Sequence, residues 1–424
     1  MKNTYKNVLL LTLIFSVSFL SSCVDNCTNE TGYTLYTPVY QTTQEVRDAF
    51  GYVEPREINE PGRLYFKDGF MYINEAGKGI HVVDNTDPSQ PKNIGFINIP
   101  GNFDLAAKGE YMYVDSYIDL IVLNISDPEN IEMVTRLESV FGDYNIWQGR
   151  YNETEQVIIT HFEEEWVEAG IEIDCDRSWG WFFSGGGDVA VLESGAIANR
   201  SGGGTGIGGS MAKFTIYDDY LYTVDYSDMR LFNIGDGENP TKDLMIPLGW
   251  GIETIFPYGD KLFIGAMNGM HIYDNAEPSS PQWLSTYEHV NSCDPVVVQD
   301  DFAFVTLRDG NECQGFTNHL EVVDISDLSN PVLHKAYEME NPHGLSINGD
   351  CLFITEGDFG LKFFDAQDVD NIELVDQIEA QHSIDAITLG EILMVIGRDG
   401  FYQYTYDCDS KEWSYLSSIS IISL

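Results

Sequence analysis

Basic residues are scarce in this sequence. Lysine and arginine together number 22 in 424 residues, against 68 aspartates and glutamates, so the formal net charge is −46. The negative electrostatic field of such a protein repels nucleic acid and anionic membrane surfaces, and it favours the binding of divalent cations or cationic partners. We therefore expect no nucleic acid among the partners of this protein.

Several motifs that carry catalysis or bind cofactors are also missing. None of the seven cysteines has C-x-x-C spacing, which argues against a zinc site or a thiol redox centre. No G-x-S-x-G nucleophile motif occurs. A glycine-rich run at 201–209 lacks the Gly-Lys-Ser/Thr ending of a phosphate-binding loop, so we predict a flexible surface loop there.

What the sequence does contain is a repeated short strand that runs into an aspartate turn. The stretch 320–327 reads LEVVDISD, and related stretches begin at Ile80, Leu120, Met270 and Leu361. The first two copies start 40 residues apart, at 80 and 120. A strand-built repeat of about this length is typical of propellers and solenoids.

Each repeat has room for four strands. A strand with its own Gly or Asp turn stands about ten residues before each copy, a first strand precedes that turn, and a fourth follows the Asp-Pro turn. Four antiparallel strands per repeat make one blade of a β-propeller. We therefore predict an all-β fold, with one propeller domain over 61–424. A β-solenoid is the alternative, but its repeats are usually shorter than about 40 residues.

Eight such units fit the chain. They lie at about 63–97, 103–137, 140–210, 211–248, 252–287, 294–335, 343–378 and 384–421. The third unit is degenerate and carries an insertion at about 175–210, so the count is seven if that region is not a blade. We expect the last strand, 413–422, to pair with the amino-terminal segment and so close the ring.

The combination of apolar strand, aspartate and Asp-Pro turn resembles the LVIVD-repeat β-propeller lipoproteins of bacteria, which are named for the third strand. The likeness covers roughly residues 60 to 410. It implies the propeller architecture, but it says little about activity because that family is poorly characterised.

The amino terminus has the pattern of a targeting signal. Two lysines precede an apolar run that ends at Leu20 and is too short for a spanning helix. The following Leu-Ser-Ser-Cys resembles a bacterial lipobox, which implies a signal peptide over 1–22 and lipid on Cys23; an ordinary signal peptide is the alternative. Residues 23–60 are predicted to be a tether, with a weak helix signal near 43–50. The expected location is the cell envelope, on the outer membrane, with membrane contact through the lipid anchor only.

With Cys23 lipidated, six cysteines remain, an even number that suits an oxidising compartment. Blade topology predicts two disulfides, each between cysteines on the same face of the ring. They are Cys293 with Cys313 on one face and Cys351 with Cys408 on the other. Cys27 and Cys175 are left over and would join the tether to the insertion, but their pairing stays open.

First strands line the central channel of a propeller, and their first residues face one mouth. Alignment of the turns places six polar residues at equivalent positions around that mouth. They are Asp104, Lys213, Glu253, Asp294, His343 and Asp385. Their carboxylates could hold Ca²⁺, which is the one cofactor we consider, or act as acid and base on a sugar. The alternative is that these residues line a water-filled channel.

Two classes of function are compatible with these patterns. The leading hypothesis is a monomeric, lipid-anchored binding module whose partner is a protein or carbohydrate of the envelope. The other is a propeller hydrolase that acts on glycans. No catalytic residue is assigned, because a structural role accounts for each repeated residue. Two mouth carboxylates about 5 to 10 Å apart in an open cleft would favour the hydrolase.

Overall fold

The computed structural model describes most of the chain. The described ranges are 32–142, 150–168, 196–197, 205–210, 212–289, 295–308 and 318–420. The chain divides into two compact units, one of residues 1–39 and 161–188, the other of 40–160 and 189–424. The larger unit contains the repeats. Among the described residues, no helix has the length and apolar character needed to cross a membrane.

Regular structure precedes the first repeat, within the segment predicted to be a tether. The elements are β1 (Gly32–Thr42), α1 (Thr43–Asp48) and β2 (Gly51–Val53). The helix begins after Thr42 because this residue caps it: the Thr42 hydroxyl accepts a 3.1 Å hydrogen bond from the Glu45 amide. In return, the Thr42 amide donates to the Glu45 carboxylate at 2.8 Å, which completes a capping box. The short helix predicted near 43–50 is therefore confirmed.

The described part of the chain contains seven blades of four antiparallel strands, which we call blades A to G. Six of them are separate four-stranded sheets, and blade A is part of a seven-stranded sheet. Blade A contains β3 (Pro61–Lys67), β4 (Phe70–Glu75), β5 (Gly79–Asp84) and β6 (Lys92–Asn98). Blade B contains β7 (Leu105–Lys108), β8 (Tyr111–Ser116), β9 (Asp119–Asn124) and β10 (Glu132–Leu137). Four strands follow outside the blades: β11 (Tyr151–Asn152), β12 (Val157–Glu168), β13 (Ala196–Ile197) and β14 (Ile207–Ser210). β1, β12 and β11 form a three-stranded sheet.

The remaining five blades follow without interruption by other strands. Blade C contains β15 (Phe214–Tyr217), β16 (Tyr220–Val224), β17 (Asp228–Asn233) and β18 (Thr241–Pro247). Blade D contains β19 (Ile252–Tyr258), β20 (Lys261–Ala266), β21 (Gly269–Asp274) and β22 (Gln282–Glu288). Blade E contains β23 (Val296–Gln299), β24 (Phe302–Leu307), β25 (His319–Asp324) and β26 (Val332–Glu338). Blade F contains β27 (Leu345–Asn348), β28 (Cys351–Thr355), β29 (Leu361–Asp365) and β30 (Glu373–Ile378). Blade G contains β31 (Asp385–Leu389), β32 (Ile392–Gly397), β33 (Gly400–Asp407) and β34 (Glu412–Ser420).

These blades agree closely with seven of the eight units predicted from the repeat. The region 140–210 forms no four-stranded sheet within the described residues, and most of 169–204 lies outside them. The structure therefore does not confirm the count of eight, and the described chain matches the alternative of seven.

The turn between the first and second strands shares one backbone feature in every blade. Each of these seven turns has a residue with a positive φ, which Gly and Asp tolerate better than other residues do, and in blade A Gly69 has a positive φ as well. The residues are Asp68, Gly109, Asp218, Gly259, Asp300, Gly349 and Gly390. The turn chemistry read from the sequence is thus confirmed.

The pairing between the third and fourth strands contains a β-bulge in every blade. In blade A the register shifts between Val82 and Val83, and a shift occurs near the matching point in all seven blades. Such a bulge adds one residue to the outer strand and twists the exposed edge. A twisted edge is a poor template for pairing with another chain.

Blades A to G follow one another round a ring. The first strands make contact in the order β3, β7, β15, β19, β23, β27 and β31, and β31 contacts β3 again. Blade G is joined to blade A by Gln403, which exchanges hydrogen bonds of 2.8 and 2.9 Å with Asn85. The predicted closure by a shared strand is wrong: β34 pairs with β33, and β2 extends blade A by pairing with β6. The core lies between blades, where Leu120 to Leu123 of β9 are fully buried.

The centre of the ring is occupied by a segment of the same chain. β14 pairs with β3, and β13 contacts the first strands of blades D, E, F and G. Ser210 at the end of β14 is fully buried, and its hydroxyl accepts a 2.9 Å hydrogen bond from the Leu345 amide. A side chain at Gly206 would collide with the Tyr65 ring at 2.2 Å, which explains the need for glycine. The surface loop predicted at 201–209 is therefore wrong for its last residues.

Candidate binding site at the mouth of the ring

One side of the ring, which we call the mouth face, carries the starts of the first strands, the turns between second and third strands, and the connections between blades. Five of the six predicted mouth residues are described, and Asp294 lies outside the described residues. The five stand within two residues of the starts of β7, β15, β19, β27 and β31. They are Asp104, Lys213, Glu253, His343 and Asp385.

Arg63 and Asp104 form a buried ion pair at this mouth. Arg63 Nη1 lies 2.7 Å from Asp104 Oδ2, and it donates a second 2.7 Å hydrogen bond to the Phe103 carbonyl. Asp104 Oδ2 also accepts hydrogen bonds from the amides of Lys213 and Phe214, the latter at 2.9 Å. Asp104 therefore links blade B to blade C. Burial raises the pKa of Asp104, and the Arg63 charge opposes that shift.

A second carboxylate, Asp115 of β8, supports the turn that carries Asp104. Its Oδ1 accepts hydrogen bonds from the amides of Phe103 and Asp104, at 2.7 and 2.9 Å. Asn102 Nδ2 donates to the same oxygen at 2.9 Å. Burial raises the pKa of Asp115 to about 7, so near neutral pH this group carries only part of its formal charge.

Lys213 and Glu253 are half-buried and lie close enough for their charges to interact. Burial and the Arg63 charge lower the pKa of the Lys213 amine, while Glu253, Asp104 and Asp225 act in the opposite direction. Lys213 is thus surrounded by groups of both signs, and it counterbalances several carboxylates at the mouth.

Asp385 lies deeper, beneath β14. The side chain is fully buried, and Oδ1 accepts a 2.8 Å hydrogen bond from the Ala386 amide. Oδ2 has no hydrogen-bond partner among the described residues. Burial raises the pKa of Asp385 to about 8, although the Arg63 charge acts in the opposite direction. Asp385 is therefore largely protonated at neutral pH, and its carboxyl does not face solvent.

His343 belongs to a separate group of polar residues. Its ring nitrogens lie 2.6 and 3.0 Å from Arg308 Nη1, and Asn341 Nδ2 lies 3.2 Å from His343 Nε2. Burial lowers the pKa of His343 to about 2, helped by the positive charges of Arg308, His382 and Arg398. His343 is consequently neutral across the physiological pH range and accepts a hydrogen bond from Arg308.

Arg63 was not predicted from the sequence, although a signal for it exists. It stands 41 residues before Asp104, which is one repeat period, at the start of blade A. The alignment of first strands began with blade B and so left it out. The space between Arg63, Asp104 and Gly208 is too small for a water molecule, so the mouth is closed at this point by β14.

No group of three or more potential metal ligands occurs in the described ranges. Burial raises the pKa of Asp104, Asp115 and Asp385, and it therefore opposes the charged form of each carboxyl that a cation would need. Ca²⁺ binding at the mouth stays a prediction, with Asp294 outside the described residues.

Cys351 and Cys408 form a disulfide bond with a Cα–Cα distance of 5.5 Å, the pairing that blade topology predicts. It joins β28 of blade F to the end of β33 in blade G. The other five cysteines lie outside the described residues. They are Cys23, Cys27, Cys175, Cys293 and Cys313.

A family model named LVIVD repeat matches residues 63–98, 103–138 and 292–339. These ranges correspond to blades A, B and E. The chain therefore carries LVIVD repeats. The resemblance read from the third strand is confirmed, and the LVIVD strands are β5, β9 and β25 in the three matched blades. No curated protein matches the sequence.

Solved structures share the architecture at low sequence identity. A protein from Lactobacillus plantarum is 11% identical with a TM-score of 0.56, covering 85% of this chain and 97% of that chain. A functionally unknown protein from Desulfotomaculum acetoxidans is 12% identical with a TM-score of 0.49, covering 83% and 99%. Kluyveromyces lactis Hsv2 is 11% identical with a TM-score of 0.48, covering 85% and 100%. The neighbours are β-propeller-like proteins, so the comparison supports the fold alone.

Proposed function

We propose that this protein is a monomeric, lipid-anchored β-propeller of the bacterial cell envelope that works as a binding module. Its ligand, a protein or a carbohydrate, docks on the mouth face. The lipobox-like Leu-Ser-Ser-Cys around Cys23 supports the anchor, and the predicted tether would connect it to the ring.

One observation carries the binding role. The charged side chains at the innermost positions of the mouth are held by the chain itself: Asp104 by Arg63 and blade C, and Asp385 beneath β14. The large apolar side chains that are most exposed on the mouth face, Trp250 and Phe359, come instead from a connection between blades and from a turn, while Lys213 and Glu253 are half-buried. Rigid strands that present exposed loops on one face are a common arrangement for recognition.

A glycan hydrolase is less compatible with this geometry. Retaining and inverting glycosidases need two carboxylates that face the scissile bond across an open cleft. Asp104 and Asp385 are both buried and do not line such a cleft. The arrangement therefore favours binding without turnover.

The anchor is tested by cell fractionation of Cys23→Ala, with Cys27→Ala as the matched control because Cys27 lies four residues further on and outside the lipobox. We expect Cys23→Ala to leave the membrane fraction and to lose incorporation of a fatty-acid analogue, whereas Cys27→Ala keeps both. A wild-type chain without label would refute the anchor. Release of reducing ends from envelope polysaccharide by the purified wild type would contradict binding without turnover.

A further inference from the structure

An aromatic ring is presented to solvent on the mouth face of blade D. Trp250 stands in the connection between β18 and β19, and 58% of its surface is exposed. Most other exposed large apolar side chains lie on outer fourth strands or in the segment before blade A. Trp250 instead stands three residues before Glu253, one of the predicted mouth residues.

The connection that carries Trp250 is held at several points. The Leu248 amide donates a 2.8 Å hydrogen bond to the Ser227 carbonyl, and the Ile252 amide donates to the Tyr226 carbonyl at 3.1 Å. On the other side, the Met267 amide donates a 2.8 Å hydrogen bond to the carbonyl of Gly251. The backbone around Trp250 is thus fixed to neighbouring turns in blades C and D. A ring on a fixed support loses little conformational freedom when a ligand binds.

Glycine and tyrosine set the position of the ring. Gly251 has a φ of +78°, and a Cβ there would lie 3.0 Å from the Met267 side chain, so any other residue would strain the backbone and displace Met267. The Tyr226 ring packs edge-to-face against Trp250, with centroids 5.3 Å apart and an interplanar angle of 84°. Tyr226 therefore supports the indole from one direction while more than half of Trp250 stays open to solvent.

Polar groups lie near Trp250, in addition to the Tyr226 ring and the Met267 side chain. Ser227 and Asp228 are in the turn that carries Tyr226, and Ser227 Oγ donates a 2.6 Å hydrogen bond to Asp228 Oδ2. Glu253 follows Trp250 by three residues in the chain, and its charge interacts with that of Lys213. Protein-binding hot spots are usually clustered in well-packed apolar pockets. An exposed indole that is supported by one tyrosine, with carboxylates, a hydroxyl and an amine nearby, is instead suited to a ligand that has both apolar C–H faces and many hydroxyl groups.

We propose that Trp250 is the stacking platform of an oligosaccharide-binding site on the mouth face, with Glu253 and Lys213 as hydrogen-bonding partners for sugar hydroxyls. This inference rests on the proposed binding function and names the class of its ligand. The apolar face of a pyranose ring would pack on the indole, and its equatorial hydroxyls would reach the neighbouring polar groups.

The charge of the chain decides between kinds of oligosaccharide. The formal net charge of −46 and the carboxylates around Lys213 oppose the approach of sulfated or phosphorylated sugars. The ligand is therefore a neutral glycan. Binding should also vary little with salt, because no anionic ligand has to be attracted.

The test uses full-length protein in a detergent without a sugar headgroup, titrated with cellohexaose, with the β-1,4-linked hexamer of N-acetylglucosamine, and with a sulfated heparin hexasaccharide. Binding is followed by calorimetry and by indole fluorescence. The variants are Trp250→Ala, Trp250→Phe and Trp283→Ala. Trp283 is the matched control because it is 61% exposed on the outer strand of the same blade.

We expect at least one neutral hexasaccharide to bind wild type, Trp250→Ala to lose about tenfold or more in affinity, and Trp250→Phe to recover part of it. Trp283→Ala should bind like wild type, and all variants should keep the wild-type melting temperature because both indoles are exposed.

Equal affinity of Trp250→Ala and wild type, preference for heparin, or no binding of either neutral hexasaccharide would each overturn the inference. A protein ligand on the same face would appear as loss of an envelope-protein crosslink in Trp250→Ala without any sugar binding. The Cys23 result is independent of these outcomes, so failure of the glycan inference is distinguishable from failure of the proposed anchor.

Discussion

The replacement Asp385→Asn should remove a large part of the pH dependence of stability. Burial raises the pKa of Asp385 to about 8 in the folded protein, whereas an aspartate in the unfolded chain titrates near about 3.9. Between these values the folded chain binds a proton that the unfolded chain has released. The contribution of Asp385 to stability is therefore present at low pH and is lost as the pH rises towards 8.

The magnitude follows from this proton. One proton corresponds to about 1.4 kcal/mol per pH unit, so Asp385 should cost wild type about 2.7 kcal/mol of unfolding free energy between pH 5 and pH 7. Asn is a close mimic of the protonated acid here. Its Oδ1 can accept the hydrogen bond from the Ala386 amide, and its amide group occupies the place of Oδ2, which has no partner among the described residues.

The assay is urea-induced unfolding at pH values from 5 to 9, followed by tryptophan fluorescence, for wild type and Asp385→Asn. Contributions from Asp115, whose pKa is raised to about 7, are common to both proteins and cancel in the difference. The variant should become more stable than wild type by about 1.4 kcal/mol for each pH unit up to pH 7, with a plateau above pH 8. Asp84→Asn is the control, because hydrogen bonds with Thr86 lower the pKa of Asp84. The difference in unfolding free energy between Asp84→Asn and wild type should therefore not vary above pH 5. A constant difference between wild type and Asp385→Asn would refute the buried, protonated state of Asp385.

Two further predictions concern stability. Replacing Cys351 and Cys408 together by Ala should lower the unfolding free energy by about 4 kcal/mol, because the disulfide restricts the unfolded chain over a sequence separation of 57 residues. Reduction of the disulfide in wild type should lower the unfolding free energy by the same amount. Losses below about 1 kcal/mol in both experiments would contradict the disulfide. Asp119→Ala should cost about 3 to 5 kcal/mol, because the buried Asp119 carboxylate accepts hydrogen bonds from Arg47 at 2.8 Å and Arg136 at 3.1 Å. Hydrogen exchange should then show faster opening of α1, and unchanged protection there would argue against a role for Arg47 in holding the helix.

Features set by local sequence were read correctly. The turn between first and second strands was recognised because Asp68 and Gly109 adopt a positive φ that few other residues tolerate. The third strands were recognised because both faces of a blade are buried, so runs such as Leu120 to Leu123 are continuously apolar. The helix signal near 43–50 was also local, since Thr42 and Glu45 form its capping box.

The candidate site was read less completely, because equivalent positions in the repeats do not have equivalent surroundings. Alignment of the repeats placed Asp104 and Asp385 at the mouth. It could not predict that they are buried, because their burial depends on the contacts of β14 with β3 and β31. Arg63 was missed although it follows the same period. Trp250 has no counterpart in the repeat pattern, and its importance depends on exposure and on the edge-to-face contact with Tyr226.

The sequence by itself determined the all-β class, the four-stranded repeat and its boundaries, because these follow from interactions between residues near one another along the chain. The tertiary structure decided how blade G meets blade A, which segment fills the ring, and which mouth residues are charged. The glycine-rich residues at 205–210 show the difference: their composition permits a mobile loop, but packing of Gly206 against Tyr65 and of Ser210 against blade F turns them into an interior strand. Burial then raises the pKa of Asp385, because a carboxylate removed from water is more easily protonated, and only the folded ring determines where water is excluded.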